Sequence, residues 1–190
     1  MRVVVLNDTD ESVRNQFRGF VPKEFEGLMA DGSAFMLGTV EADKDGLEAA
    51  GITLVAVEEE EFVLKWVWVD PDLRNKEAGS KMMDALFETA NENGLDTVII
   101  QIPSLKDKYA TESDTYNFFF EFAFGDMEIK EVNGLRVMEL TADVNDYLNM
   151  ENEAINSDIQ EEKIDKAYAK FPKKFVVSGV EYFSGVPFEE

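Results

Sequence analysis

Val67-Trp68-Val69-Asp70-Pro71-Asp72-Leu73-Arg74-Asn75-Lys76-Glu77-Ala78-Gly79-Ser80 is the stretch that decides how this chain reads. An apolar strand runs into a proline. An arginine and a glycine follow five residues apart, and an amphipathic pattern begins at once. This order presents free backbone N–H groups to an anion at a helix N-terminus, where the helix dipole also favours negative charge.

On the N-terminal side, Phe62–Val69 is a nearly unbroken apolar run, as expected of a strand buried on both faces. Before it, residues 2–6, Ala34–Val40 and Ala49–Val57 read as strands, with a polar turn at Asp43–Gly46 and an acidic connection at Glu58–Glu61. Val13, Phe17 and Phe20 mark a helix capped by Thr9 or Asp10, and a second short helix follows around Lys23–Met29. On the C-terminal side, Met82, Met83, Leu86, Phe87 and Ala90 share one helical face, which Gly94 ends. Asp96–Ile102 then reads as a strand, Thr115–Ala123 as a helix, and Met127–Lys130 with Leu135–Leu140 as a hairpin around Asn133-Gly134.

The composition narrows the chemistry. The 190 residues hold no cysteine and no histidine, so disulfides, thiolate nucleophiles, Cys/His zinc sites and Ser-His relays are excluded. Any chemistry falls to carboxylates, Tyr, Ser/Thr, Lys or the backbone. Forty acidic residues against 18 basic ones give a net charge of -22. A phosphate-backbone partner needs clustered Lys and Arg, so nucleic acid is not expected. The charge reads either as a self-repelling, soluble surface or as a field that steers a cationic substrate. No apolar run reaches membrane-spanning length and the N-terminus is no signal peptide, so a cytoplasmic location is expected.

The loop resembles the acyl-CoA loop of the GCN5-related N-acetyltransferases (GNAT superfamily), written V-x-P-x-x-(R/Q)-x-x-G-x-(G/A). Val69, Pro71, Arg74 and Gly79 fit the pattern, and Glu77 stands in place of the first glycine. The element order up to residue 141 is similar to the same family. The resemblance implies an α/β fold, a mixed and mostly antiparallel sheet with helices on both faces, and acetyl-CoA as co-substrate. It implies that the strand before the loop splays from its neighbour, with Val67 and Val69 facing the pantetheine arm. Arg74, Lys76, Ala78, Gly79 and Ser80 would then surround the pyrophosphate. Glu77 brings a Cβ and a like charge, which at about 4 Å and an effective dielectric of ~20 costs roughly 4 kcal/mol. That penalty falls if Glu77 faces solvent or pairs with Lys76, Arg74 or Lys81. Alternatively, Glu77 is the helix's own anion and no cofactor binds.

Acetylating an amine requires a neutral nucleophile, so a carboxylate or an ordered water usually takes the proton. Some family members place a glutamate at the position of Val63. Glu61 lies in phase with it and is the candidate base, with an acidic turn between strands as the other reading of Glu58–Glu61. The run Phe119–Gly125 stands where the family ends its fourth helix, with Phe120 in the place of its acidic Tyr. Tyr116 is the candidate substitute, Tyr109 a second, and Phe118–Phe124 reads as core or as a wall beside the pantetheine slot.

Two functions are consistent with these residues. One is acetyl-CoA-dependent N-acetylation of a cationic small molecule or a lysine by direct attack in a ternary complex. The other is an acetyltransferase-like binding module without the chemistry. Residues 1–141 form the acetyltransferase-like domain and 142–190 an appendage, with a charged helix at Ser157–Phe171 and a strand at Phe175–Phe183. That appendage is too small for a core of its own. It is expected to pack on the domain or across a homodimer, with Phe175–Phe183 extending a sheet edge. It also reads as the start of a further unit of a longer protein.

Overall fold

The computed structural model describes residues 1–7, 11–43, 46–74, 77–103, 118–119, 121–132, 134–154 and 174–184. The apolar and alternating runs form one seven-stranded sheet of β1 (Arg2–Val5), β2 (Ala34–Asp43), β3 (Gly46–Glu58), β4 (Glu61–Val69), β5 (Thr97–Pro103), β6 (Gly125–Val132) and β7 (Leu135–Asp143). Its spatial order is β1-β2-β3-β4-β5-β7-β6. Every neighbouring pair is antiparallel except β4 and β5. The helices are α1 (Glu11–Gln16), α2 (Glu26–Ala30), α3 (Ala78–Glu92) and α4 (Val144–Ala154).

A parallel pair needs a crossover connection, and α3 supplies it. Met82, Met83, Leu86, Phe87 and Ala90 line its buried stripe, and Gly94 at φ 70° ends it. That stripe packs on Phe35, Leu37, Phe62, Leu64 and Leu140 of the sheet. On the opposite face, Phe17, Phe20 and Trp66 close a smaller core over Val4, Leu6 and Ile52. The Phe17 ring lies so close to the strands that a Cβ at Gly38 would stand 2.6 Å from it. Only glycine at position 38 lets the ring rest there.

Glu58–Glu61 is a turn between strands, one of the two readings its sequence allows, and β3 and β4 meet there over two residues. Its central residues Glu59 and Glu60 both have positive φ, 49° and 70°, as the tight hairpin geometry demands. Val144–Ala154 is helical, started by Asp143, whose Oδ1 accepts from the Asn145 N–H at 2.8 Å and the Asp146 N–H at 3.0 Å. Tyr147 of this helix stacks on Phe87 at 4.0 Å and bonds to Asp84.

Phe175–Phe183 is a hairpin, β8 (Lys174–Val177) and β9 (Val180–Phe183), turning at Ser178-Gly179. It does not extend the large sheet, because its strands satisfy each other and it docks face-down by its rings. Phe175 lies 4.7 Å from Phe35 and Tyr182 lies 5.7 Å from Phe62. The Asn93 side chain clasps Phe183 through both its N–H and its carbonyl at 2.8 Å. Within Thr115–Ala123, Phe118 and Phe119 are helical; Asn133 and the expected helix at 157–171 lie outside the described residues. No helix among the described residues is long and apolar enough to cross a membrane.

Candidate functional site

The parallel ladder between β4 and β5 closes over three pairs: Phe62↔Val98, Val63↔Ile99 and Leu64↔Ile100. Both strands continue, β4 to Val69 and β5 to Pro103, without pairing to one another. The result is a fork. Its near side is the β5-facing backbone edge of residues 65–69, which includes Val67 and Val69, and no described strand covers that edge. A bulge sets the fork's inner end. Trp66 faces Leu54 and Leu64 faces Val55, so Lys65 is the extra residue. The extra residue shifts the alternation. Phe62 and Leu64 before it, and Val67 and Val69 after it, all pack toward α3, while Trp66 and Trp68 pack on the opposite face.

At the open end of the fork the chain turns into α3. Asp70 accepts from the Asp72 N–H at 2.8 Å and starts a short 3-10 turn at Pro71–Leu73. The Arg74 Nε donates to the Val69 carbonyl at 3.3 Å, which keeps the guanidinium beside the loop. Glu77 precedes the helix with φ 66°, a left-handed backbone that glycine adopts freely. Its side chain makes no capping bond, is 76% exposed and lies 3.7 Å from Lys81. Glu77 therefore holds a backbone that glycine adopts freely and turns its carboxylate to solvent.

Ala78 is buried and Gly79 and Ser80 are half-buried in the first turn. A Cβ at Gly79 would stand 3.0 Å from the Phe118 ring and 3.8 Å from Val69. The missing side chain thus serves a close packing of the chain on itself. Lys76, Tyr109, Tyr116 and Phe120 lie outside the described residues.

Glu61 sits beyond the closed ladder, at the turn end of β4, and accepts from the Thr97 hydroxyl at 3.1 Å. The polar side chain that stands at the fork is Lys65, which belongs to no motif of the sequence. Its ammonium donates to Gln101 Oε1 at 2.6 Å and pairs with Glu58 at 2.7 Å. Gln101 donates onward to Glu139 at 3.0 Å, and Lys130 bonds the other Glu139 oxygen. Burial pushes the Glu139 carboxyl up, but the bonds from Lys130 and Gln101 and the Lys130 and Lys65 charges outweigh it and hold it below its ordinary value. The bond to Glu139 in turn raises Lys130. A lone Lys inside the apolar run Phe62–Val69 was the available signal, since a buried charge requires partners.

The profile of the Acetyltransferase (GNAT) family matches residues 7–110. The chain belongs to the GNAT acetyltransferase family. No curated protein matches it in sequence. Among solved structures it is similar to an aminoglycoside 6'-N-acetyltransferase complexed with coenzyme A, at 13% identity and TM-score 0.59, covering 76% of this chain and 97% of that one. It is also similar to a protein of the GNAT family from Desulfovibrio desulfuricans, at 16% identity and TM-score 0.55, covering 75% and 99%. A spermidine/spermine N-acetyltransferase from Vibrio cholerae matches at 10% identity and TM-score 0.52, covering 78% and 96%. These likenesses concern the fold.

Acetyl-CoA is the co-substrate of this GNAT chain. The residues present fit such a donor. The fork offers the backbone edge of 65–69, the first turn of α3 carries no side-chain cap, and Glu77 leaves the turn clear. Arg74 and Lys81 add positive charge beside it.

Proposed function

We propose that this GNAT protein is an N-acetyltransferase acting on a cationic amine, either a small molecule or a lysine side chain. The observation that carries the reading is the fork between β4 and β5, opening toward an uncapped α3 N-terminus. Bound there, the donor supplies an activated acyl group. Val67 and Val69 would hold its arm through their main-chain groups. Arg74, Ala78, Gly79, Ser80 and Lys76 would hold its phosphates. Catalysis then rests on positioning and on backbone polarisation rather than on a histidine or cysteine, which the chain lacks. The net charge of -22 supports a cationic acceptor by raising its concentration near the surface. Tyr116 is assigned the protonation of the leaving thiolate.

Thermal shift and calorimetry with CoA and acetyl-CoA test the donor half of this reading. A ligand at 100 times its dissociation constant stabilises by about 2.7 kcal/mol. No shift with either would favour a binding module without the chemistry. Mass spectrometry on a panel of polyamines, aminoglycosides and lysine peptides tests the acceptor half. The rate with a true acceptor should fall as salt rises, since the steering field is screened.

A further inference from the structure

We propose that the Lys65–Gln101 contact is the inner stop of the donor slot and restricts the acyl group to acetyl size. The inference rests on the donor reading of the fork and names its specificity-determining residues. An arm anchored at the α3 N-terminus and lying along β4 runs from Val69 back toward Lys65, about 13 Å at a strand's rise per residue. It can go no further, because the β4–β5 ladder closes at Leu64↔Ile100. Lys65 and Gln101 are the first residue beyond that closure on each strand, and their side chains bridge the gap at 2.6 Å.

The bridge is braced by the strands on either side of the fork. Glu58 of β3 holds the Lys65 ammonium at 2.7 Å, and Glu139 of β7 holds the Gln101 amide at 3.0 Å. Lys130 of β6 ties down Glu139 in turn. The Lys65 side chain is 11% exposed, so it has little room to swing aside. The bulge fixes its place, because Lys65 is the residue that β4 carries in excess of β3. A longer acyl chain at the end of the arm meets a contact whose members are each held by a neighbouring strand. Displacing it breaks several charge-assisted hydrogen bonds.

Calorimetry on the whole chain with CoA, acetyl-CoA and butyryl-CoA reads this without an acceptor. Wild type should bind acetyl-CoA about tenfold or more tightly than butyryl-CoA, the discrimination expected for extra methylenes against a fixed wall. Lys65→Ala and Gln101→Ala each open the stop and should bring the ratio to about threefold or less, each thioester being read against that variant's own affinity for CoA. Circular dichroism confirms that each variant folds, and the wild-type ratio stands as a test that needs neither. Equal wild-type affinity for the two thioesters overturns the stop. So does a ratio unchanged in both variants while CoA still binds, and in either case the donor reading survives. Failure of wild type to bind CoA at all overturns the donor reading and the stop together.

Discussion

Glu77 is costly only if its carboxylate occupies the space of a phosphate. With φ at 66° and three quarters of the side chain in solvent, its main cost is the left-handed backbone. Glu77→Gly should therefore leave CoA affinity within about threefold by calorimetry, the scale of an exposed, screened charge. A gain of about a hundredfold or more would show the carboxylate inside the phosphate site. Glu139 is the opposite case, a carboxylate that burial pushes up and that Lys130, Gln101 and Lys65 hold below its ordinary value. Its folded-state pKa is depressed, so it stabilises the fold above the ordinary glutamate range and loses that contribution as pH falls through its folded value. Chemical unfolding of wild type and Glu139→Gln should show the largest gap near pH 7 and a shrinking gap below about pH 4. A gap that persists in acid would assign the stabilisation to something other than ionisation.

Among the elements, the β8–β9 hairpin is clasped by the Asn93 side chain at the end of α3. Asn93 meets both the N–H and the carbonyl of Phe183. Asn93→Ala should cost about 1–2 kcal/mol, read as a fall of about 2–8 °C in Tm, and should make the hairpin easier to cleave by protease. An unchanged Tm would mean that the rings and the Ser178 N–H bond to the Gly32 carbonyl hold the hairpin without it. The elements that the sequence made legible are those whose burial leaves a regular trace: the apolar run of β4, the 3.6-residue stripe of α3 and its terminal Gly94. Others were hidden by their own chemistry. Glu58–Glu61 reads as a turn, but Glu59-Glu60 carries none of the Asn or Gly that would mark its left-handed type. Asp143, Val144, Tyr147 and Leu148 hold the cap and spacing of α4, but the polar residues after them mask the period. The fork's loop was legible as a motif. The Lys65–Gln101–Glu139–Lys130 chain was not, because it joins β4 and β5 to the distant β6–β7 hairpin and depends on a bulge that shifts the alternation by one.

On the scale of the whole molecule, the sheet's α3 face is completed only by the C-terminal residues. Phe175 and Val177 are 1% exposed, and the hairpin's rings reach Phe35 and Phe62 of the central strands. A cut after residue 154 leaves every strand of the large sheet and α4 in place and removes residues 155–190 alone. It uncovers the aromatic surface that Phe175, Val177 and Tyr182 bury. Each fully buried large side chain contributes about 1.5–3 kcal/mol, against a total stability of about 5–15 kcal/mol for a domain. A high net charge adds self-repulsion that the remaining core must still overcome. The shortened chain should therefore melt at least about 5 °C lower than the full chain in calorimetry, or scatter light as soluble aggregates at ordinary salt. Raising the salt should restore part of the loss in Tm, because screening relieves the repulsion while leaving the uncovered rings exposed. A shortened chain that melts with the full one and stays monodisperse would mean that the C-terminal rings sit on a face already closed without them.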